Sequence, residues 1–405
     1  MRGHGLEHVS NRDRLVEHLQ KPGEDIEPRY ARWAEERRRC PVAKTSPAEG
    51  SGPETYVVYS NAGVRQVMGD DRCFTKPGPS WRTTRTLLSM NGEEHRVHRA
   101  LVADPFTVQG VARFEKTLIV PLIHDLVDKF VSRGEADLVL DFTSHYPFHV
   151  IRRIIGIDES EHDEFIGLAF PVNGLNRGWE DHIKEFLLPR IHAARANPKD
   201  DVLGLLARSE LDGRPLTDED FLEYLLLLIP AGADTTVAGS SNMFAGLLLH
   251  PEQLELVRRD RGLVNRAVNE ALRWQNPAAT TFLRRSLCPV EVEGVAMPEN
   301  TLIRAHVSAH NRDETVYAEP DRYDVTRERA PAGVFGYGPH ICLGMHLARA
   351  EMRVALNVAL DRLPHLRLDP SAPRPFVRPA SGPDTGGDGS LAAVNSLPVL
   401  FDPPA

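Results

Sequence analysis

The stretch Phe335-Gly336-Tyr337-Gly338-Pro339-His340-Ile341-Cys342-Leu343-Gly344 sets one cysteine in a glycine-rich loop directly ahead of a helix-forming run, Met345 to Leu360. A sulfur placed there sits at a helix N-terminus, where first-turn N–H groups and the positive end of the dipole are expected to lower the thiol pKa. Gly336, Gly338 and Gly344 lack a Cβ, which permits left-handed or tight turns and the close approach of a flat ligand. No CxxC and no close Cys/His cluster accompanies Cys342, so a four-ligand zinc or iron–sulfur site cannot be built around it. Haem iron is the metal that needs only one protein thiolate, because the porphyrin supplies its equatorial ligands. On the residues alone, an inert cysteine buried in a glycine turn is the competing reading.

The pattern Phe-Gly-x-Gly-x-His-x-Cys-x-Gly resembles the haem-ligand loop of the cytochrome P450 monooxygenases and matches it at every fixed position. The resemblance implies a mainly α fold with small β-sheets, a single large domain over residues 1–405 enclosing haem b, with 1–53 as a partly flexible N-terminal segment. It implies that Cys342 is the metal ligand and that Phe335, Gly336, His340 and Gly344 shape the cofactor-binding loop.

Composition agrees with a soluble globular chain: of 405 residues, 41% are hydrophobic and 26% charged. A net charge of -9 argues against a nucleic-acid binder. The four cysteines, Cys40, Cys73, Cys288 and Cys342, are too few and too scattered for a disulfide framework and suit a reducing cytoplasm. Met1 through Pro53 has no apolar segment of the signal-peptide kind. The longest apolar run, Leu225 to Ala233, contains Pro230 and is followed by Asp234, so no membrane span is expected. Within the resembled family this points to the soluble bacterial type, supplied with electrons by a separate ferredoxin and reductase.

Along the chain, Thr55 to Tyr59 reads as a strand, with Asn61 as N-cap of a helix over Ala62 to Met68. The loop from Pro77 to Leu88 carries Trp81, Leu87 and Leu88, and by resemblance it covers the substrate. Arg82 and Arg85 in it could hold a carboxylate; pointing to solvent or to the propionates is the competing reading. His95 and Arg99 lie four apart on one helix face and can reach a single anion. The resemblance assigns them to a haem propionate, although Asn91-Gly92 stands before them where the family often has Asp-Pro. Val111 to Val131 has the spacing of an amphipathic core helix. Phe165 to Pro189 is broken by Pro171, Gly174 and Gly178; by resemblance it forms the lid, with Phe170 and Asn173 toward the substrate.

A long helix is expected from Thr217, acidic in its first turn and apolar on all sides through Leu225 to Ile229. Its middle, Pro230-Ala231-Gly232-Ala233-Asp234-Thr235-Thr236, breaks the rules for dry core, which marks a functional site more often than an error. It resembles the family's oxygen-binding helix, with Asp234 and Thr235 as the catalytic proton-delivery pair and Ala231 in the pocket. Glu270 and Arg273 match the structural Glu-x-x-Arg, with Arg322 near the expected third partner. Ala279, Thr280 and Phe282 are assigned to the pocket, and Arg284 to a propionate with Arg285 as competitor. Leu397-Pro398-Val399 resembles a last hairpin with Val394 or Asn395 at its tip.

The function expected is insertion of one oxygen atom of O2 into a small hydrophobic organic substrate by hydroxylation, epoxidation or O-dealkylation. A peroxide-using haem-thiolate enzyme and a non-enzymatic haem gas sensor are the alternatives.

Overall fold

Thr217 opens the longest helix, Asp218–Leu249, in a computed structural model that describes residues 27–45, 55–77, 86–169, 179–277, 281–328, 333–378 and 392–404. Its hydroxyl accepts from the Asp220 N–H at 3.2 Å and the Asp220 carboxylate accepts from the Thr217 N–H at 2.7 Å, a reciprocal cap. Asp218, Glu219 and Asp220 meet the positive end of the dipole there. By length and composition this helix could cross a membrane, contrary to the sequence expectation, but 67% of its most apolar window is buried inside the protein, as in a core helix. Pro230 lies within it without ending it.

Close packing around this helix depends on missing Cβ atoms. A Cβ on Gly232 would stand 2.7 Å from Ile151 Cδ1, and one on Gly246 would stand 2.8 Å from Tyr323 Cε2. Helix Tyr146–Ile155 therefore lies directly on the first of these, and Tyr146 donates a hydrogen bond to Ser240 further along. Helices Val264–Trp274 and Met345–Arg362 pack on its C-terminal half, where Gly239 faces Leu272 and Met352.

The largest sheet orders its five strands Val42–Thr45, Thr55–Val58, Leu302–His306, Thr281–Ser286 and Phe74–Thr75. Leu302–His306 pairs in parallel with Thr55–Val58 and antiparallel with Thr281–Ser286, so chain from both halves meets in it. Its apolar face carries a separate small core with Val58, Val64, Met68, Met297, Ile303 and Ala305. The helix after Thr55–Val58 is capped by Ser60, which accepts from the Gly63 N–H, and Asn61 is its first residue instead of its cap. The C-terminal strand Pro398–Leu400 makes no hairpin with its sequence neighbour. It lies between Glu135–Asp137 and Arg367–Leu368 as the middle strand of three. Ala393–Val394 pairs with Val377–Arg378 and is tied to the long helix by Asn242, which donates to Ala392 O and accepts from the Val394 N–H.

Glu270 and Arg273 form a fully buried bidentate pair, both contacts at 2.8 Å. Arg273 also donates to the carbonyls of Asn311, Pro320 and Arg322, and Glu270 accepts from the Asp324 N–H. The third charged partner is Arg327, 3.4 Å from the carboxylate. Arg322 contributes only its carbonyl; its side chain pairs with Glu319 at the surface. Arg273→Ala strands a buried carboxylate, and denaturant unfolding should show a loss of about 3–5 kcal/mol, whereas Arg322→Ala should change stability by less than about 1 kcal/mol.

Candidate functional site

The loop before helix Met345–Arg362 is built around two left-handed glycines. Gly336 has φ +78° and Gly338 has φ +68°, a region that costs a residue with a Cβ, and a Cβ on Gly338 would also press on Gly69 O at 2.8 Å. Gly344 differs: its φ is -83°, and a Cβ there would meet nothing within 4 Å, so it borders open space. The loop closes through Gly336 N–H to Gly333 O and Cys342 N–H to Phe335 O. Arg349 lies over the Phe335 ring at 4.6 Å and donates to Asn269, linking the loop to the helix of Glu270 and Arg273.

His310 props the same loop from behind. Its Nδ1 lies 2.8 Å from Val307 O and its Nε2 3.1 Å from the Tyr337 hydroxyl, and Gly333 packs so closely on its ring that a Cβ would overlap it. Burial pushes its pKa down to about 4. The unfolded chain, with histidine near 6.5, takes up that proton first, so the contribution of neutral His310 is complete above about pH 6.5 and is lost as pH falls through about 4. Unfolding free energy should drop by about 2 kcal/mol between about pH 7 and about pH 5 from this group, a slope that His310→Gln should flatten.

Cys342 is exposed by area, yet desolvation by the surrounding protein pushes its thiol pKa up. The Gly344 N–H, Arg99 and Arg349 act in the opposite direction and do not prevail. The expectation that the helix N-terminus alone would favour the thiolate is therefore corrected: desolvation outweighs the few N–H groups and distant cations.

Beside the loop lies a cluster of cations. His95, on helix Gly92–Ala100, lies against His340 with ring centroids 4.1 Å apart and the planes tilted by 37°, and burial, followed by His95, Lys76, Arg284 and Arg99, pushes His340 down to about 3. Arg284 is buried and its pKa is lowered to about 10 by burial; Lys76 is lowered to about 7 by burial and by Arg284. Burial also lowers Arg99, which senses Cys342. No ion pair to these groups occurs among the described residues. Arg285 instead donates to Asn300 O at the edge of the sheet, so of the two arginines it is Arg284 that joins the cluster.

Lys76 was not anticipated from sequence. Asn91 holds it: its side chain accepts from the Lys76 N–H at 3.0 Å and donates to Lys76 O at 3.2 Å. Asn91 precedes the helix without capping it, and Gly92 has φ +56°, a conformation closed to proline, which accounts for Asn-Gly where the family often has Asp-Pro. Glu351 was missed as well: fully buried, with no hydrogen-bond partner for either oxygen among the described residues, its pKa is pushed well above the carboxylate range.

On the long helix, Ala231 is exposed and Asp234 and Thr235 are half-open, although the segments on both sides are buried. Burial of the Asp234 carboxyl raises its pKa to about 7. Thr235 donates back to Ala231 O at 2.9 Å. From the Gly239–Met352 contact, Thr235 and Ala231 lie about one and two turns toward the N-terminus.

Of the expected pocket residues, Leu87 is buried in the main core and Leu88 is exposed. Phe282 packs against the small core on the sheet, a placement that period-two reading of the strand could not separate from a pocket-facing one. Trp81, Phe170, Asn173, Ala279 and Thr280 lie outside the described residues, as do Arg82 and Arg85.

These features fit a flat, dianionic, metal-bearing group: an exposed thiol in a glycine-turned loop, a glycine with room beside it, and desolvated cations at Lys76, Arg99 and Arg284 with no ion pair among the described residues. The fold and site define a haem-thiolate protein. The chain belongs to the cytochrome P450 family, whose model matches residues 177–378. It is 30% identical over 371 residues to cytochrome P450 107B1 of Saccharopolyspora erythraea, covering 85% of this chain and 89% of the relative. It is 30% identical over 381 residues to the cytochrome P450 monooxygenase PikC of Streptomyces venezuelae, covering 86% and 88%. The crystal structure of CYP108D1 from Novosphingobium aromaticivorans superposes with a TM-score of 0.83 at 26% identity, covering 97% of this chain and 98% of that one. The protein is thus a bacterial-type cytochrome P450 monooxygenase with haem b as cofactor, which uses O2, a small organic substrate and an electron-transfer partner.

If the cations hold the haem carboxylates, Lys76→Ala or Arg284→Ala should speed haem transfer to a scavenger protein by about tenfold to a hundredfold. That range corresponds to the roughly 1.5–3 kcal/mol of a charge-assisted hydrogen bond.

Proposed function

We propose that the Cys342 thiolate would ligate the haem iron, that His95, Arg99, Arg284 and Lys76 would hold the haem propionates, and that Phe335, Gly336, His340 and Gly344 would form the cofactor cradle. The observation supporting this reading is the cluster of desolvated basic groups beside the Cys342 thiol, where Asp71 acts on His95 but no ion pair to Lys76, Arg99 or Arg284 occurs among the described residues. Each cation lies below its ordinary pKa because burial is uncompensated, which is the electrostatic preparation expected for a dianion. Arg99 draws on both functions, since it faces Cys342 and belongs to the cluster.

Bound haem supplies the activation of dioxygen, by which one oxygen atom enters the substrate and the other leaves as water. The chain's own part is to hold charge and move protons. Asp234, titrating near 7, exists in both protonation states at neutral pH and can give up a proton and regain it. Thr235 spends its O–H on Ala231 O, which leaves its oxygen lone pairs to accept from Asp234 or water. Ala231 keeps that stretch of helix narrow, so substrate can approach. With Leu87 in the main core and Phe282 against the small sheet core, the pocket proposed for Trp81, Leu88, Phe170, Asn173, Ala231, Ala279 and Thr280 is mostly apolar with a few polar groups, which suits a hydrophobic molecule of modest size with one polar handle. A ferredoxin-type donor in the cytoplasm would supply the electrons, and residues 1–405 would act as one catalytic unit.

Thr235→Ala tests the relay. Haem content and the substrate-induced Soret shift should persist, while product formed per electron pair falls by about tenfold or more, within the range of a lost proton-transfer group. Unchanged coupling would refute the role. A peroxide-using enzyme would turn over with peroxide and be indifferent to the substitution, and a gas sensor would consume no reductant with any substrate. Asp234→Asn should remove the inflection near pH 7 from the turnover profile.

A further inference from the structure

Cys73 and Cys288 are far apart in sequence, yet their sulfurs stand 3.7 Å apart, with the Cys288 thiol donating to that of Cys73. Cys73 ends the turn before the edge strand Phe74–Thr75, and Cys288 lies just past the end of Thr281–Ser286, the strand with which that edge strand pairs. The register Phe74 to Ser286 and Thr75 to Arg285 is continued by the Leu287 N–H, which donates to Cys73 O at 2.8 Å. Both cysteines are half-buried, so each is held by the backbone and still open to a small reagent. Asp70 and Arg72 are the charged neighbours of Cys73.

We propose that Cys73 and Cys288 form a reversible thiol–disulfide site that clasps the edge strand to Thr281–Ser286. The oxidant is a low-molecular-weight disulfide. One cysteine thiolate attacks a sulfur of that reagent, forming a mixed disulfide and releasing one small thiolate. The second cysteine thiolate then attacks the protein-bound sulfur, forming the Cys73–Cys288 bond and releasing the second small thiolate. The two protons lost by the cysteines end on the two released thiols, and the two electrons have reduced the reagent. The sulfurs must close from 3.7 Å to about 2.05 Å, a movement within reach of side-chain rotation on a fixed backbone. The neighbouring Cys288 sulfur, then burial and Asp70, push the Cys73 thiol pKa up, so closure is faster in mild alkali.

The clasp bears on the cofactor because Lys76 lies three residues beyond Cys73 and Arg284 four before Cys288. Closing it fixes the strand that carries Arg284 and the edge strand that ends one residue before Lys76. This consequence rests on the haem reading above; the disulfide itself does not.

The haem-loaded full chain, incubated with glutathione disulfide and mapped by peptide mass spectrometry without reductant, tests the site. Expected is a Cys73–Cys288 cross-linked peptide pair lighter by two hydrogens, reversed by dithiothreitol, while Cys40, whose thiol donates to Val42 O, gains only a glutathione adduct. Cys73→Ser should convert Cys288 to an adduct, and Cys288→Ser should do the same to Cys73. Separate adducts on Cys73 and Cys288 in the unaltered protein, or free thiols at both when Cys40 has reacted, would overturn the proposal. In the cross-linked protein haem transfer to a scavenger should be slower than in the reduced protein, with no such change in Cys73→Ser. A cross-link with unaltered haem transfer would overturn the clasp's effect on the cofactor and leave the Cys342 assignment to its own spectrum.

Discussion

A thiol that its protein surroundings desolvate resists ionisation, and this constraint organises the loop around Cys342. Burial raises the Cys342 pKa against the pull of the Gly344 N–H, Arg99 and Arg349. Only a metal at the sulfur reverses that balance, since coordination replaces the proton outright. The loop is arranged accordingly: left-handed Gly336 and Gly338 turn the chain, His310 and Tyr337 brace it, and Arg349 ties it to the helix of Glu270 and Arg273. The buried Glu270–Arg273–Arg327 network adds little net stability by itself. Its many carbonyl partners instead fix the position of the chain that leads into the loop.

The same reasoning governs the cations. Lys76, Arg99 and Arg284 are each desolvated, and Lys76 is also repelled by Arg284, an arrangement that folding alone would disfavour. A dianion bound among them, as proposed, would offset that desolvation, and cofactor binding would then be coupled to folding. Asp234 is the mirror case: no ion pair to it occurs among the described residues, and burial raises its pKa to about 7, which supports the proton-relay role proposed for it.

Much of this was legible in the chain. The Cys342 loop, the His95/Arg99 spacing and the rule-breaking middle of the long helix are local signals, and the structure puts them on a loop, a helix face and a buried helix as their patterns require. What stayed hidden depends on distant contacts. Lys76 has no motif, and its importance comes from Asn91 holding its backbone and Arg284 approaching across the sheet. Arg327 could not be chosen over Arg322 because the two differ only in which side chain turns inward. Phe282 alternates with Leu283 along a strand with neighbours on both faces, so period alone could not say which core it joins.

The most direct test is the absorption spectrum of the reduced, carbon-monoxide-bound protein. Thiolate ligation by Cys342 predicts the red-shifted Soret band of a haem-thiolate complex in freshly folded protein, abolished in Cys342→Ala. A Soret band of the histidine-ligated type in the unaltered protein, or a thiolate band surviving in Cys342→Ala, would contradict the account.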